Sequence, residues 1–231
     1  MTIIRVIDFE TTGTEPPAKV CEVGICDYNV ETQAIGDPLA WLCGVEEMPP
    51  DVRAIHHISL AECQGKDPFD PAKMLAGEDI AVIAAHNSEF ETKFFEPDRP
   101  VLCTYKAALR VWPDAPSHSN GALRYWLEDQ GKIKPDHKLT QPAHRAGPDT
   151  YVTAHILKAL FDTGVSGKQM VAWTKEPRLL PTCPIGKFRG KPWSEVEDGF
   201  LGWMLRQPTM EEDLKWNAKR EIARRAEGVK S

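Results

Sequence analysis

Hydrophobic positions in the first half of the chain predict five β-strands. Ile3 to Ile7 is a β-branched run typical of a buried strand, Val20 to Tyr28 alternates, and Leu39 to Cys43 is a short apolar run. Because the connections between these three segments carry turn residues, we expect an antiparallel meander. Ile80 to Ala85 is the strongest candidate for a buried strand, and Val101 to Cys103 predicts a short fifth one.

Helices are predicted between and after these strands. Pro49 and Pro50 open a short helix, and Asn87 is expected to be the N-cap of a helix that carries Glu91. Further helical patterns lie at residues 104–111, 120–130 and 148–162. In the last of these, Asp149 extends the buried stripe at the N-terminus, where the helix dipole also favours an anion.

The C-terminal part of the chain has a different pattern. Three prolines within residues 166–184 predict an extended linker, so we expect a domain over 1–165, this linker, and a small basic and aromatic module over 185–231. The expected core of the module is Phe188, Trp193, Phe200, Trp203 and Met204. A charged helix over 211–227 has an apolar stripe of Leu214, Ala218, Ile222 and Ala226, which is expected to dock on a neighbouring element or on a second copy.

Composition indicates a soluble globular protein. The chain has 231 residues, of which 42% are hydrophobic and 27% charged. We expect a cytoplasmic protein without membrane attachment, because there is no long apolar run and no signal-peptide pattern. The six cysteines form no CxxC pair and lie mostly in apolar runs, which favours reduced core thiols over disulfides or zinc ligands.

The net charge of −6 is unevenly distributed. Residues 1–186 have 18 Lys+Arg against 26 Asp+Glu, whereas residues 187–231 have 10 against 8. Lys187, Arg189 and Lys191 surround Phe188, as in a basic turn with an aromatic platform for single-stranded nucleic acid. The alternative is that this segment only packs in a small fold.

Two acids at the end of the first strand suggest metal chemistry. Asp8 and Glu10 leave the strand on the same side, about 7 Å apart along the chain. Such carboxylates repel each other and resist burial unless a cation neutralises them, and Mg²⁺ is commonly held by one or two carboxylates. Solvated acids at an ordinary strand end remain the alternative.

Three motifs follow one another along the chain: Asp8-x-Glu10-Thr-Thr-Gly, His86-Asn87-x-x-Phe90-Glu91 and His144-Arg145-Ala146-x-x-Asp149. Together they resemble the motifs of the DEDDh 3′→5′ exonucleases over about residues 3–163. The resemblance implies an RNase H-like α/β fold, in which a mixed five-stranded sheet is flanked by helices. The segment Ala54-Ile-His-His-Ile-Ser59 resembles a loop motif of that family.

Within that family, the chain is similar to the exonuclease X group. The segments that carry this similarity are Cys103-Thr104-x-Lys106, Leu109-Arg110-x-Trp112-Pro113, Ser119-Asn120-x-Ala122-Leu123, Gly186 to Lys191 and Phe200-Leu201-x-Trp203. The resemblance implies action on DNA 3′ ends, in DNA repair or processing. Single- and double-stranded DNA both stay open as substrates, as do a monomer and a homodimer as the assembly.

The resemblance also implies roles for individual residues. Two Mg²⁺ or Mn²⁺ ions would be held by Asp8, Glu10, Glu91 and Asp149, and His144 would be the general base. The residues expected to bind substrate are Thr11, Thr12, His56, Asn87, Lys187, Arg189 and Lys191.

The chain departs from the family pattern at Glu91, where the family has aspartate. Glutamate keeps the charge but reaches roughly 1.5 Å further, and Mg²⁺ demands near-ideal octahedral geometry. Reduced activity, a preference for Mn²⁺ and an inactive site are the three outcomes that this change leaves open. A nucleic-acid-binding protein with weakened catalysis is therefore one alternative function. An exonuclease that trims RNA 3′ ends is another, since the catalytic motifs do not distinguish deoxyribose from ribose.

Overall fold

A mixed five-stranded sheet organises the first part of the chain in the computed structural model, which describes residues 2–77 and 79–228. The strands are β1 (Ile3–Thr11), β2 (Val20–Asn29), β3 (Leu39–Leu42), β4 (Ile80–Ala85) and β5 (Val101–Cys103). Their order is β3-β2-β1-β4-β5; the first three form an antiparallel meander, and β4 and β5 continue the sheet in parallel. The predicted α/β architecture is therefore confirmed.

Helices flank this sheet. They are α1 (Pro50–His56), α2 (Leu60–Cys63), α3 (Pro71–Met74), α4 (Thr104–Val111), α5 (Asn120–Asp129), α6 (Ala146–Asp162), α7 (Gly167–Thr174), α8 (Asp198–Arg206) and α9 (Glu212–Gly228). Among the described helices, none combines the length and the apolar composition that crossing a membrane requires.

The two faces of the sheet are covered differently. On one face, Ile7, Phe9 and Ile83 are buried in a core cluster against which Phe94 and Phe95 pack. The opposite face of β1 and β2 is in contact with α6. Since side chains alternate along a strand, Asp8 and Glu10 lie on the face that α6 covers.

The described chain divides into two compact units, one of residues 1–108 and 115–174, the other of 109–114 and 175–231. The segment 166–184 is therefore not wholly a linker, because α7 forms within it and belongs to the first unit. Met170 of α7 is fully buried, and the Thr174 hydroxyl accepts a 2.8 Å hydrogen bond from the Cys103 amide. Eight residues with little internal periodicity are held helical by such contacts rather than by their own propensity.

The second unit has a hydrophobic core of its own that includes Phe188, Trp193 and Met204. Trp203, which was expected in that core, is instead 41% exposed. The stripe predicted for α9 is also only partly correct. Leu214 and Ala218 are buried as expected, whereas Ile222 is exposed.

Two polar side chains of α9 are buried in addition to Leu214 and Ala218. Asn217 is buried and donates to the Arg178 and Asp213 carbonyls, both at 2.7 Å. Glu221 is buried too and binds Arg224 and Arg225. The interior face of α9 therefore combines apolar contacts of Leu214 and Ala218 with hydrogen bonds of Asn217 and Glu221.

Candidate active site

The candidate site begins on the paired strands β1 and β2. The strand β1 continues past Ile7 to Thr11, so both acids are part of the ladder rather than of a following turn. In the register of the pair, Gly24 lies opposite Asp8, and Glu22 lies opposite Glu10. Residues that face each other across a ladder point to the same side of the sheet, so these four positions share one face.

The absence of a side chain at Gly24 lets the first turn of α6 approach this face. A Cβ atom at residue 24 would lie 2.2 Å from the Ala146 carbonyl oxygen. Three residues further along α6 is Asp149. Its carboxylate joins those of Asp8 and Glu10, and one oxygen from each of the three lies within 4.8 Å of the others.

An ion pair between Glu22 and Arg145 fixes the start of α6. Glu22 is only 3% exposed. It accepts hydrogen bonds from Arg145 Nε at 2.9 Å, from Arg145 Nη2 at 2.5 Å and from the Ala146 amide at 2.9 Å. These bonds connect the residue before α6 to the strand position opposite Glu10. Sequence analysis did not identify this pair as functional.

Burial and mutual repulsion raise the pKa values of the clustered acids. Burial, followed by the charge of Asp149, raises the pKa of Glu10 to about 8 and raises the pKa of Asp8 well above its usual range. Burial also raises the pKa of Asp149 to about 6, although the nearby His144 opposes this shift. The protein thus holds these carboxylates where their negative charges are unfavourable without a cation.

Glu91 lies beside this cluster but on a different kind of element from the predicted helix. Residues Glu91–Lys93 form a single 3-10 turn. Asn87, expected as an N-cap, has a φ of 75°, whereas an N-cap is extended; its carbonyl accepts a 2.9 Å bond from the Phe90 amide. The chain therefore turns at Asn87, and no α-helix starts there.

The Glu91 side chain is buried and incompletely satisfied. It is 2% exposed, and its Oε2 has no hydrogen-bond partner among the described residues. Burial raises the pKa of Glu91 to about 8, and the charge of Glu10 adds to this shift. Glu91 lies outside the group of three acids whose oxygens are within 4.8 Å of one another. Glu89 is not a substitute, because it points away to pair with Lys106 at 2.6 Å.

His144 lies at the approach to α6 with an exposed side chain. Its backbone has a φ of 57°, and its amide donates a 3.1 Å hydrogen bond to Asp149 Oδ2. The imidazole is near enough to lower the pKa of Asp149. The structure therefore brings His144 together with the acidic cluster, as the sequence motif predicts.

Most of the other residues that were expected to bind substrate in the first unit form hydrogen bonds within the protein. The Thr11 hydroxyl donates to the Gly13 carbonyl at 2.7 Å, and the Thr12 hydroxyl accepts from the Lys19 amide at 3.0 Å. His56 is 2% exposed, and its Nδ1 accepts from the Ile58 amide at 3.0 Å. Burial weighs against direct substrate contact by His56. Exposed Asn87 stays a predicted contact.

His86 is held by hydrogen bonds within the first unit. Its Nδ1 lies 2.9 Å from Thr104 Oγ1, and its Nε2 lies 2.8 Å from the His118 carbonyl oxygen. Burial lowers the pKa of His86 to about 4, so the ring is neutral and joins β4 to the segments that follow it.

In the second unit, Lys187, Arg189 and Lys191 are all exposed. Two of them form ion pairs, Lys187 with Glu197 at 2.9 Å and Lys191 with Glu195 at 3.7 Å. Phe188 is only 6% exposed. The prediction that Phe188 is an aromatic platform for bases is therefore wrong, because the core of the unit needs this ring.

The acidic cluster has the chemistry that a divalent cation requires. Three carboxylates converge, a fourth buried one has an oxygen without a partner, and their pKa values are raised. Oxygen ligands of this kind suit hard cations. The cluster could therefore bind a metal ion.

Known proteins are similar to this chain over most of its length. A family model described as Exonuclease matches residues 6–157. Exodeoxyribonuclease 10 of Escherichia coli K12 is 32% identical over 214 residues, which cover 88% of this chain and 90% of that protein.

Solved structures extend the similarity. Exonuclease X in complex with 5′ overhanging duplex DNA is 29% identical, with a TM-score of 0.62, over 74% of this chain and 99% of that one. Escherichia coli exonuclease I in complex with a dA16 oligonucleotide shares the fold, with a TM-score of 0.53 and 18% identity over 75% of this chain and 43% of that one.

Proposed function

The chain belongs to the exonuclease family, and we propose that it removes nucleotides from DNA 3′ ends by metal-dependent hydrolysis of phosphodiester bonds. The observation that carries this proposal is the convergence of Asp8, Glu10 and Asp149, with ligand oxygens within 4.8 Å of one another. The similarity to an exonuclease whose structure is solved in complex with 5′ overhanging duplex DNA supports the choice of substrate, because a 5′ overhang leaves a recessed 3′ end.

We assign the metal ligands to the three acids of the cluster and to Glu91 beside it. Asp8, Glu10 and Asp149 would hold the ions directly, and Glu91 has the unsatisfied Oε2 to join them. When bound, two Mg²⁺ or Mn²⁺ ions would neutralise charge on the scissile phosphate and acidify the attacking water. Glu22 contributes no ligand in this assignment, because Arg145 already occupies its carboxylate.

His144 is assigned the proton transfer. Its side chain is exposed at the approach to α6, and its amide is hydrogen-bonded to Asp149. An imidazole nitrogen can accept a proton from water and release it to solvent afterwards. The hydrogen bond to Asp149 keeps the base next to the proposed ligands.

We further assign the chemistry to the first unit and a role in DNA contact to the second. The proposed ligands and His144 all belong to the first unit, whereas Lys187, Arg189 and Lys191 belong to the second. The sequence boundaries of 1–165 and 185–231 for these two roles stay a prediction.

The test is the release of nucleotides from a 3′-labelled strand with Mg²⁺, with Mn²⁺ and with a chelator. We expect metal-dependent release by the wild type and none by Asp149→Ala, which loses a ligand. His144→Ala should be about 10²–10⁴-fold slower, with little change in DNA affinity. Asp37→Ala, which removes an exposed acid elsewhere, is the control.

Two results would reject the proposal. Wild-type activity in Asp149→Ala would exclude the acidic cluster as the metal site. A 3′-labelled RNA strand degraded faster than DNA would instead assign the enzyme to RNA.

A further inference from the structure

An exposed tryptophan on α8 is supported by a row of aromatic rings. Trp203 is 41% exposed. Its ring lies 5.1 Å from that of Phe200 at an interplanar angle of 30°, and Phe200 lies 5.0 Å from the buried Phe188. The indole is therefore anchored on one side to the core of the second unit, while part of its surface faces solvent.

Of the two residues of α8 that could overlie this indole, one leaves space beside it. Side chains of a helix lean toward its N-terminus, so the residues three and four positions earlier are the neighbours of the ring. The first is Phe200, and the second is Gly199, where a Cβ atom would meet no other atom within 4 Å. A flat group can therefore approach Trp203 from the Gly199 side.

Positive charge borders the aromatic row at both ends. Arg206, three residues after Trp203, is exposed and lies on the same side of α8. At the other end, Lys187 Nζ lies 4.9 Å from the centre of the Phe188 ring. The basic turn, residues 186–191, packs directly on the row, since a Cβ atom at Gly186 would lie 2.9 Å from Phe200 Cζ.

The cations of the basic turn can exchange their present partners for phosphates. Lys187 and Glu197 form a 2.9 Å ion pair, but their side chains are 64% and 66% exposed. Ion pairs so exposed contribute little to stability. The second unit as a whole has 13 Lys+Arg against 10 Asp+Glu, whereas the first has 15 against 24.

We propose that Trp203 is the base-stacking platform of a single-stranded DNA site on the second unit, with phosphates contacted by the basic turn and Arg206. Aromatic side chains beside a cationic strip are the usual means of holding single strands without sequence preference. The proposal rests on the proposed action on DNA for its choice of ligand, but it involves none of the residues of the acidic cluster.

The experiment measures binding without hydrolysis, in the full chain carrying Asp149→Asn and in the presence of a chelator. The probe is a fluorescein-labelled dT16 strand followed by anisotropy at several salt concentrations. Trp203→Ala should raise Kd by about 5–150-fold, and Trp203→Phe should retain most of the affinity. The matched control is Trp41→Ala in the first unit, since Trp41 is also 41% exposed.

A second measurement separates stacking from charge. Replacing Lys187, Arg189 and Lys191 by Ala should flatten the slope of log K against log salt by roughly 0.7 per lost phosphate contact. Trp203→Ala should leave that slope unchanged, because an indole releases no counterions.

Two results would overturn the inference directly: an unchanged Kd for dT16 in Trp203→Ala, or an equal loss of affinity in Trp41→Ala. A third is a dimeric parent that Trp203→Ala converts to a monomer while the affinity for dT16 stays the same. That result would assign the surface to a second copy of the chain. If the wild type binds DNA through Trp203 but releases no nucleotide with either metal, the proposed function is rejected and the single-strand binding site is still supported.

Discussion

At the scale of single residues, Glu91 is the most buried of the four proposed metal ligands. Its side chain is 2% exposed, its Oε2 has no partner within the described chain, and burial raises its pKa to about 8. An unpaired buried carboxylate is expensive unless it is protonated or bound to a cation. Its reach exceeds that of aspartate by roughly 1.5 Å, which makes ideal coordination geometry harder to achieve.

We therefore expect wild-type activity with Mn²⁺ to exceed that with Mg²⁺, because Mg²⁺ tolerates imperfect octahedral geometry poorly. Glu91→Asp should narrow the difference, and Glu91→Ala should be far less active than either. Initial rates of nucleotide release with each metal measure this, with the exposed Glu96→Ala as control. Full activity in Glu91→Ala would show that Glu91 is no ligand.

The sequence predicts the acids of the site better than it predicts their supports. Asp8, Glu10, Asp149 and His144 can be named because each lies in a short local motif. The pair of Glu22 and Arg145 joins residues 123 positions apart, so no local pattern contains it. The available signal was a charged residue between the apolar Cys21 and Val23 of β2, and its partner follows only from the approach of α6 to this strand.

At the scale of elements, the close approach of α6 to β2 determines whether the acids meet. Gly24 lies opposite Asp8, and the carbonyl of Ala146 occupies the space that its side chain would need. A backbone carbonyl at a helix start cannot move aside as a flexible side chain can. Displacement of this turn would carry Asp149 away from β1.

Gly24→Ala should therefore destabilise the protein by about 1–3 kcal/mol and reduce nucleotide release further than the loss of folded protein explains. Urea unfolding and initial rates on the folded fraction measure the two effects. Gly121→Ala is the matched control, because a Cβ atom at that helical position meets nothing within 4 Å. Equal activity per folded molecule in both variants would contradict the role of this contact.

The elements that the sequence predicts well are those with strong local patterns. The β-branched runs identify β1 and β4, and the spacing of apolar residues identifies α6. The helix expected after Asn87 is wrong because a left-handed residue turns the chain there, and a backbone angle leaves no trace in hydrophobic periodicity. The helix α7 was missed for a related reason, since tertiary contacts hold it.

At the scale of the whole molecule, the buried acids connect metal binding to global stability. Groups with a raised pKa hold protons in the folded state that the unfolded chain has already lost, so stability falls as pH rises toward the raised value. His86 and His155 have pKa values lowered to about 4, which act in the opposite direction below about pH 6.5. The contribution of the acids to the pH dependence of stability is therefore measured best above about pH 6.5, where that of these histidines has ended.

Between about pH 6.5 and 8.5, the melting temperature of the metal-free protein should fall, because Glu10 and Glu91 have pKa values of about 8. Added Mn²⁺ should raise the melting temperature more at the upper end of this range, where the carboxylates are deprotonated. Differential scanning fluorimetry measures both effects. The double variant Glu10→Gln, Glu91→Gln should have a flatter profile, and a wild type that becomes more stable over this range would contradict the assignment.

The rate of alkylation of the buried thiols measures how often each unit opens. All six cysteines are free and buried, and only Cys183 belongs to the second unit. A thiol is alkylated as its thiolate, and burial raises the pKa of Cys26, for example, to about 12. Iodoacetamide would therefore mark each cysteine only when its surroundings transiently unfold. Mass spectrometry of the marked peptides over time would reveal whether Cys183 is modified before Cys103, and hence which unit loosens first.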